Sequence, residues 1–315
     1  MLGAPALAAN AALRAGAGLV TLAVPRSIQL ASATLAPCAT SIPLPEDGGG
    51  LLNPRASLSF FRREKLLTGA APPTVVAAGP GLGRGGSAFD RGWFALLDWL
   101  AGFRIPVVLD ADGLNALHRK AEWDGPGWDA WGRFRGVLTP HPGELARLLG
   151  IATAEVQEQR ERFAITVARQ MNRPTEARSS RKNGLPTDSP EVVVVLKGSG
   201  TIVTDGERVF VNRTGNPGMA TGGSGDVLTG VIAALIAQRL SLFDAAVAGT
   251  HVHGLAGDLA AQELGEVSLM ATDLLSFLPA AFLKHRCRPS AGARLGGRRG
   301  RTARGHDRGQ TRVER

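Results

Sequence analysis

The run Asn216-Pro-Gly-Met-Ala-Thr-Gly-Gly-Ser-Gly-Asp226 leads into an apolar stretch with the pattern of a helix. Small residues just ahead of a helix leave backbone N–H groups free to point at an anion, and the helix dipole favours negative charge there. Asp226, in the same turn, repels a phosphate and is a poor choice for holding one. It fits a general base beside a phosphate cradle, taking the proton from an attacking hydroxyl. A plain helix cap by Ser224 or Asp226 is the alternative. Capping alone does not require Gly222, Gly223 and Gly225 together.

Four further clusters follow short apolar runs: residues 79–83 (Gly-Pro-Gly-Leu-Gly), 110–115 (Asp-Ala-Asp-Gly-Leu-Asn), 139–144 (Thr-Pro-His-Pro-Gly-Glu) and 197–201 (Lys-Gly-Ser-Gly-Thr). In α/β sheets the ligand crevice lies outside the carboxyl ends of the strands, which is where these clusters fall. Neither common nucleotide fingerprint is present: there is no G-x-x-x-x-G-K-[ST], and the glycines at 79, 81 and 83 lack the dinucleotide spacing. Alone, the 79–83 cluster reads equally well as a tight turn. His251 and His253, two apart on one helix, face different sides and are poor partners for a metal.

These clusters need a layered scaffold. The patterns predict a helix over 4–15, stopped by Gly16-Ala-Gly18, and buried strands over 19–24, 74–78, 106–109, 136–138 and 191–196. Helices are predicted over 87–102 and 155–171, then from Gly222 to about Gln238, and from Phe243 and Ala271. Strands over 201–204 and 208–211 form a hairpin turning at Asp205-Gly206. Residues 173–190 are polar and read as an exposed loop. Strands alternating with helices indicate an α/β fold with helices on both faces of the sheet.

Composition excludes several other classes. The chain has 315 residues and a formal net charge of +9, and residues 284–315 alone carry 11 basic and 2 acidic residues. The body up to residue 283 is therefore neutral, which argues against a fold that binds nucleic acid through a basic face. The Arg/Gly-rich tail has too few apolar residues to order itself, and its charge would suit a disordered appendage or a nonspecific tether to nucleic acid or a membrane surface. Two distant cysteines exclude a disulfide framework and a Cys-based zinc site, so a reducing cytoplasm is the default. No apolar run is long enough to span a bilayer.

Taken together, the ordered motifs resemble the ADP/ATP-dependent (S)-NAD(P)H-hydrate dehydratase family of the ribokinase-like superfamily. The resemblance begins at Gly3-Ala4 and the run Ala11-Ala-Leu-Arg-Ala-Gly-Ala-Gly-Leu-Val-Thr21, continues through the four clusters and the run ending in Asp226, and reaches about Phe282. It implies a ribokinase-like three-layer α/β/α sandwich with a mostly parallel central sheet. It also implies a repair reaction, in which hydrated NADH or NADPH is dehydrated at the expense of ADP or ATP with Mg²⁺. Hydroxide leaves poorly and phosphate leaves well, so phosphorylating the ring hydroxyl permits elimination. On this view Asp226 activates the hydroxyl, and amides around Gly223 and Gly225 stabilise charge on the transferring phosphoryl group.

The other implied roles follow by position. Lys197, Gly198, Ser199, Gly200, Thr201 and Gly225 fall on the adenine-nucleotide segment, with Lys197 offering a point charge. Ala4, Gly83, His141 and Asp226 fall where the family contacts the hydrated cofactor. Glu144 falls on the position that organises Mg²⁺ through water. The plainer readings are a strand-end surface lysine for Lys197, a turn histidine bonded to backbone for His141, and a helix N-terminal carboxylate for Glu144. The resemblance further implies a homo-oligomer. A ribokinase-like small-molecule or vitamin kinase, releasing a stable phosphate ester, is the competing enzyme.

The sequence departs from the family at both ends. Relatives begin with a further strand and a glycine-rich turn ahead of the helix at Gly3, and here Met1 matches an internal position. The expectation is a dehydratase domain over 1–283, truncated by one N-terminal strand with a sheet edge left open, followed by a disordered basic tail over 284–315.

Overall fold

The computed structural model describes residues 2–65, 72–83, 85–124, 134–173 and 192–286. Helix α1 (Gly3–Arg14) is followed by β1 (Thr21–Pro25), α2 (Gln29–Leu35), β2 (Thr40–Leu44) and α3 (Pro54–Arg63). The central part alternates: β3 (Val76–Ala78), α4 (Ser87–Gly102), β4 (Val107–Leu109), α5 (Ala111–Asp124), β5 (Gly136–Leu138), α6 (Pro142–Leu149), α7 (Thr153–Glu158), α8 (Arg160–Met171) and β6 (Val192–Leu196). A hairpin of β7 (Ile202–Thr204) and β8 (Val209–Val211) precedes the helices α9 (Ser224–Ala237), α10 (Leu242–Leu264) and α11 (Ala271–Arg286).

Strands β3 to β8 form one sheet in sequence order, parallel as far as β6 and antiparallel from β6 to β8. Strands β1 and β2 pair in parallel as a separate two-stranded sheet. Side chains alternate across the pleat, and the two faces accordingly feed two cores. Val107, Leu109, Leu138, Val192, Val194 and Leu196 pack with Trp93, Leu114, Leu145 and Val167 from the helices α4, α5, α6 and α8. Val108, Val137, Val193, Val195 and Val203 pack with Ala11, Val231, Val252 and Leu274 from α1, α9, α10 and α11. The result is a three-layer α/β/α sandwich with a mostly parallel sheet, as expected.

Several local expectations change. The strand expected over 19–24 is Thr21–Pro25, and it is half-buried. Leu22 and Val24 face inward while Leu19 is exposed, because this strand has only β2 beside it. The helix expected over 155–171 is two helices, broken at Gln159, whose φ of −131° and ψ of 45° leave the helical region. Helix α9 starts at Ser224 rather than Gly222, because Gly223 takes a left-handed φ of +95°. Helix α11, expected from Ala271, runs to Arg286. The tail beyond residue 286 and most of the loop expected over 173–190 lie outside the described residues.

Helices α1 and α9 meet almost backbone to backbone. A Cβ on Gly230 would lie 2.1 Å from the Ala8 carbonyl oxygen and 2.8 Å from the Ala11 Cβ. Gly230→Ala is therefore expected to push the helices apart and cost about 1–3 kcal/mol, the usual penalty of overpacking. Thermal unfolding checks this, with a lower Tm as the expected outcome.

Candidate active site

The carboxyl ends of β4, β5 and β6 and the start of α9 converge on one half-buried lysine. Lys197 follows β6, and its Nζ lies 2.5 Å from Asp110 Oδ1 and 3.8 Å from Glu144 Oε2. Asp110 follows β4, is 1% exposed, and accepts a second hydrogen bond from Thr229 Oγ1 of α9 at 2.8 Å. Burial pulls the Lys197 pKa down, but Asp110, Glu144 and Asp226 outweigh it and raise it above the usual lysine value. Lys197 is thus a permanent cation among acids, not a free strand-end lysine.

Gly225 sits directly over this pair. A Cβ there would lie 3.2 Å from Lys197 Nζ and 3.6 Å from Asp110 Oδ2. Gly223 has to be glycine for two reasons. Its φ is left-handed, and a Cβ would lie 2.7 Å from Leu7 Cδ1 of α1 and 3.0 Å from Ala271 Cβ of α11. The glycines therefore let the first turn of α9 approach both the lysine and its flanking helices.

Asp226 follows within that turn and is half-buried. Burial first, then the negative charge of Asp110, pushes its pKa up to about 6, against a smaller opposing pull from Lys197. A carboxyl so tuned accepts a proton near neutral pH much better than an ordinary aspartate. Asp112 joins the site from the first turn of α5, just past the carboxyl end of β4, accepting from the Gly83 amide at 3.0 Å and from Asn115 Nδ2 at 3.2 Å. Gly83 is thereby tied to the same crevice. Ala4 is buried in the first turn of α1, one turn before the Leu7 that meets Gly223.

His141 and Glu144 together form the start of α6. His141 Nδ1 accepts from the amides of Gly143 and Glu144, and Glu144 Oε2 accepts from the His141 amide at 2.8 Å. Both plainer readings of these residues therefore hold as a capping box. The arrangement leaves the His141 ring half-exposed and holds Glu144 near Lys197. Burial, then Lys197, lowers the His141 pKa, so the ring is neutral and its capping nitrogen is the acceptor. Burial raises the Glu144 pKa.

The turn of Gly198, Ser199, Gly200 and Thr201 lies at the open rim, one step from Lys197. Thr201 Oγ1 closes it on the Gly198 carbonyl at 2.9 Å, and Asn212 N donates to the Thr201 carbonyl at 2.8 Å. Arg160, at the head of α8, fixes the preceding strand end, donating to the carbonyls of Leu196 and Lys197 at 3.2 Å each.

Three contributors were not found by reading motifs. Arg160 and Thr229 lie in helical patterns with no motif of their own. His253 is buried on α10, and its Nε2 lies 2.9 Å from the Ser224 carbonyl oxygen. Burial lowers its pKa to about 4, so it is neutral and donates to that carbonyl, bracing the turn that carries Gly225 and Asp226. Among the described residues, no three His, Cys, Asp or Glu side chains are grouped as a ready-made metal cage.

The fold is a ribokinase-like α/β/α sandwich. A ribokinase-like superfamily protein of Enterococcus faecalis superposes over 91% of this chain and 84% of its own, with a TM-score of 0.64 at 21% identity, a likeness of fold. The family model for NAD(P)H-hydrate dehydratase matches residues 1–280, and the chain belongs to that family. It is 42% identical over 285 residues to the bifunctional NAD(P)H-hydrate repair enzyme Nnr of Moorella thermoacetica, across 89% of this chain and 46% of that protein. The chain thus spans about half the length of the curated relatives it matches. The ADP/ATP-dependent NAD(P)H-hydrate dehydratase of Bacillus subtilis, co-crystallised with ATP and Mg²⁺, superposes with a TM-score of 0.67 at 25% identity, over 90% of this chain and 85% of that one.

Proposed function

We propose that this chain dehydrates (S)-NADH or (S)-NADPH hydrate to NADH or NADPH by phosphorylating the ring hydroxyl from ADP or ATP and eliminating phosphate. The observation that carries the proposal is Asp226, a half-buried carboxyl with its pKa near 6 at a helix start stripped of side chains by Gly223 and Gly225. Asp226 takes the proton of the ring hydroxyl as its oxygen attacks the terminal phosphorus of the nucleotide. The P–O bond to the leaving nucleotide breaks as the new one forms. The ring nitrogen's electron pair then drives out phosphate, and water takes a proton from the adjacent ring carbon, restoring the double bond. Gly223 and Gly225 leave room for phosphate oxygens against backbone amides, and Lys197 supplies the fixed positive charge beneath them.

The charge at the site suits Mg²⁺ held through water rather than in a preformed cage. Glu144 and Asp226 bring carboxylates close to Lys197, while both oxygens of Asp110 are already occupied by Lys197 and Thr229. Glu144 would hold the ion through water, and when bound the ion neutralises phosphate charge. The rim turn from Gly198 to Thr201 is the place proposed for the adenine nucleotide, and Ala4, Gly83 and His141 for the hydrated cofactor. No helix of the described residues is long and apolar enough to cross a membrane. A cytoplasmic homo-oligomer completes the reading.

Incubating the protein with hydrated NADH or NADPH, Mg²⁺ and either ADP or ATP tests it. The expected outcome is recovery of the dihydronicotinamide absorbance, dependent on nucleotide. Accumulation of a stable phosphate ester without recovery would instead identify a kinase, and no change with either nucleotide would refute both.

A further inference from the structure

We propose that Thr229 is a positioning residue of this site: its hydroxyl locks the Asp110 carboxylate so that Lys197 is held beneath Gly225. The inference rests on the reading of the site as a phosphoryl-transfer centre.

Thr229 is fully buried in α9, three residues beyond Asp226, and so lies on the same side of the helix one turn further in. Threonine hydroxyls in helices commonly bond back to the carbonyl four residues earlier. Thr34, Thr166 and Thr250 do so here, donating to the carbonyls of Leu30, Arg162 and Ala246. The Thr229 hydroxyl instead crosses from the helix to the sheet and donates to Asp110 Oδ2 at 2.8 Å.

That bond divides the work of the carboxylate. Oδ1 takes the Lys197 ammonium at 2.5 Å, and Oδ2 takes Thr229. With each oxygen held by a different element, the carboxylate cannot rotate without giving up a buried hydrogen bond. Without the hydroxyl, Oδ2 has a second claim on the three donors of the same ammonium, and the lysine is drawn toward Asp110. The clearance above it is small, since the Cβ position of Gly225 lies 3.2 Å from Nζ. A displacement of the ammonium therefore moves its charge away from the turn that precedes Asp226. Thr229 also ties the depth of α9 to the end of β4, so one contact registers Asp226 against Lys197.

The test compares Thr229→Val, which removes the hydroxyl at similar volume, with Thr229→Ser, which keeps it. Two quantities are measured on the full chain: affinity for Mg·ATP by titration calorimetry without hydrate, and kcat and KM with hydrate. Thr229→Val is expected to weaken Mg·ATP binding and lower kcat by about tenfold each, the scale of a lost hydrogen bond to a charged group, with KM for hydrate little changed. Thr229→Ser is expected to restore both to within about threefold. If the valine protein does not fold, Thr229→Cys, a weak donor of similar size, carries the same expectation. Unchanged affinity and kcat in the hydroxyl-free variant overturn the proposal, as does a serine variant impaired as badly as the valine one. A wild-type chain that binds Mg·ATP yet leaves hydrate untouched would refute the repair reading alone, and the affinity comparison would still decide the role of Thr229.

Discussion

Asp226→Asn is expected to abolish turnover and to make the folded chain more stable. The loss of turnover follows from removing the base, a contribution of about 10²–10⁴-fold in comparable enzymes. Mg·ATP binding should survive, because the turn, its glycines and Lys197 remain. The gain in stability follows from the sign of the pKa shift. Asp226 has its pKa raised from 3.8 to about 6 in the folded chain, by burial and then by Asp110. Between those values the native state binds the proton that the unfolded chain releases, so stability falls as pH rises through this window. Above it, the ionised carboxylate is a standing cost. Discounted for the part of the side chain that remains solvated, that cost is on the order of 1–2 kcal/mol. Asparagine removes it. Melting the two proteins side by side should show the variant ahead near neutral pH and the difference gone below about pH 4. A variant that melts lower at neutral pH would show that the carboxylate is not destabilised. The same shift predicts that kcat of the wild-type chain rises with pH through about 6 as the base becomes available.

The second large effect is expected at Lys197. Lys197→Met leaves Asp110, 1% exposed, and Glu144, 5% exposed, without their shared cation. Breaking a buried pair from one side costs about 3–5 kcal/mol, because the surviving charge is stranded. Turnover should fall as well, since the fixed positive charge under the anion turn is gone. The double variant Lys197→Met/Asp110→Asn separates the two effects. Removing both charges relieves the stranded carboxylate, so the double variant should be less destabilised than the sum of the two single changes. It should remain inactive. Denaturant unfolding of the four proteins measures the coupling, and strict additivity would mean that the contact contributes nothing specific.

The motifs are legible where a turn is built from residues adjacent in sequence. Gly223, Gly225 and Asp226 stand together because the backbone itself forms the turn, so their spacing carries the geometry. Strands such as Gly136–Leu138 and Val192–Leu196 were legible as short apolar runs ending at polar clusters. The hub was not legible, because Asp110 and Lys197 are 87 residues apart and meet only when β4, β5 and β6 pair. The contacts of Thr229 and His253 were not legible for a related reason. Each residue sits in an apolar helix pattern, and its partner, Asp110 or Ser224, lies on another element. His141 and Glu144 had two readings each, and the capping box accounts for the local one. Helix α2 and strand β2 left no clear apolar pattern because they bury little: α2 buries Ser32 and β2 buries Leu44.

In the proposed mechanism the ring hydroxyl leaves as part of phosphate, and its oxygen can be followed. Hydrate carrying heavy oxygen in the ring hydroxyl, incubated with Mg·ATP and the protein, yields inorganic phosphate whose mass reports the path of that atom. Transfer of the phosphoryl group to the hydroxyl before elimination places the label in phosphate, one atom for each NADH restored. Label recovered in water, with unlabelled phosphate, would contradict the account and make nucleotide hydrolysis a separate event from dehydration.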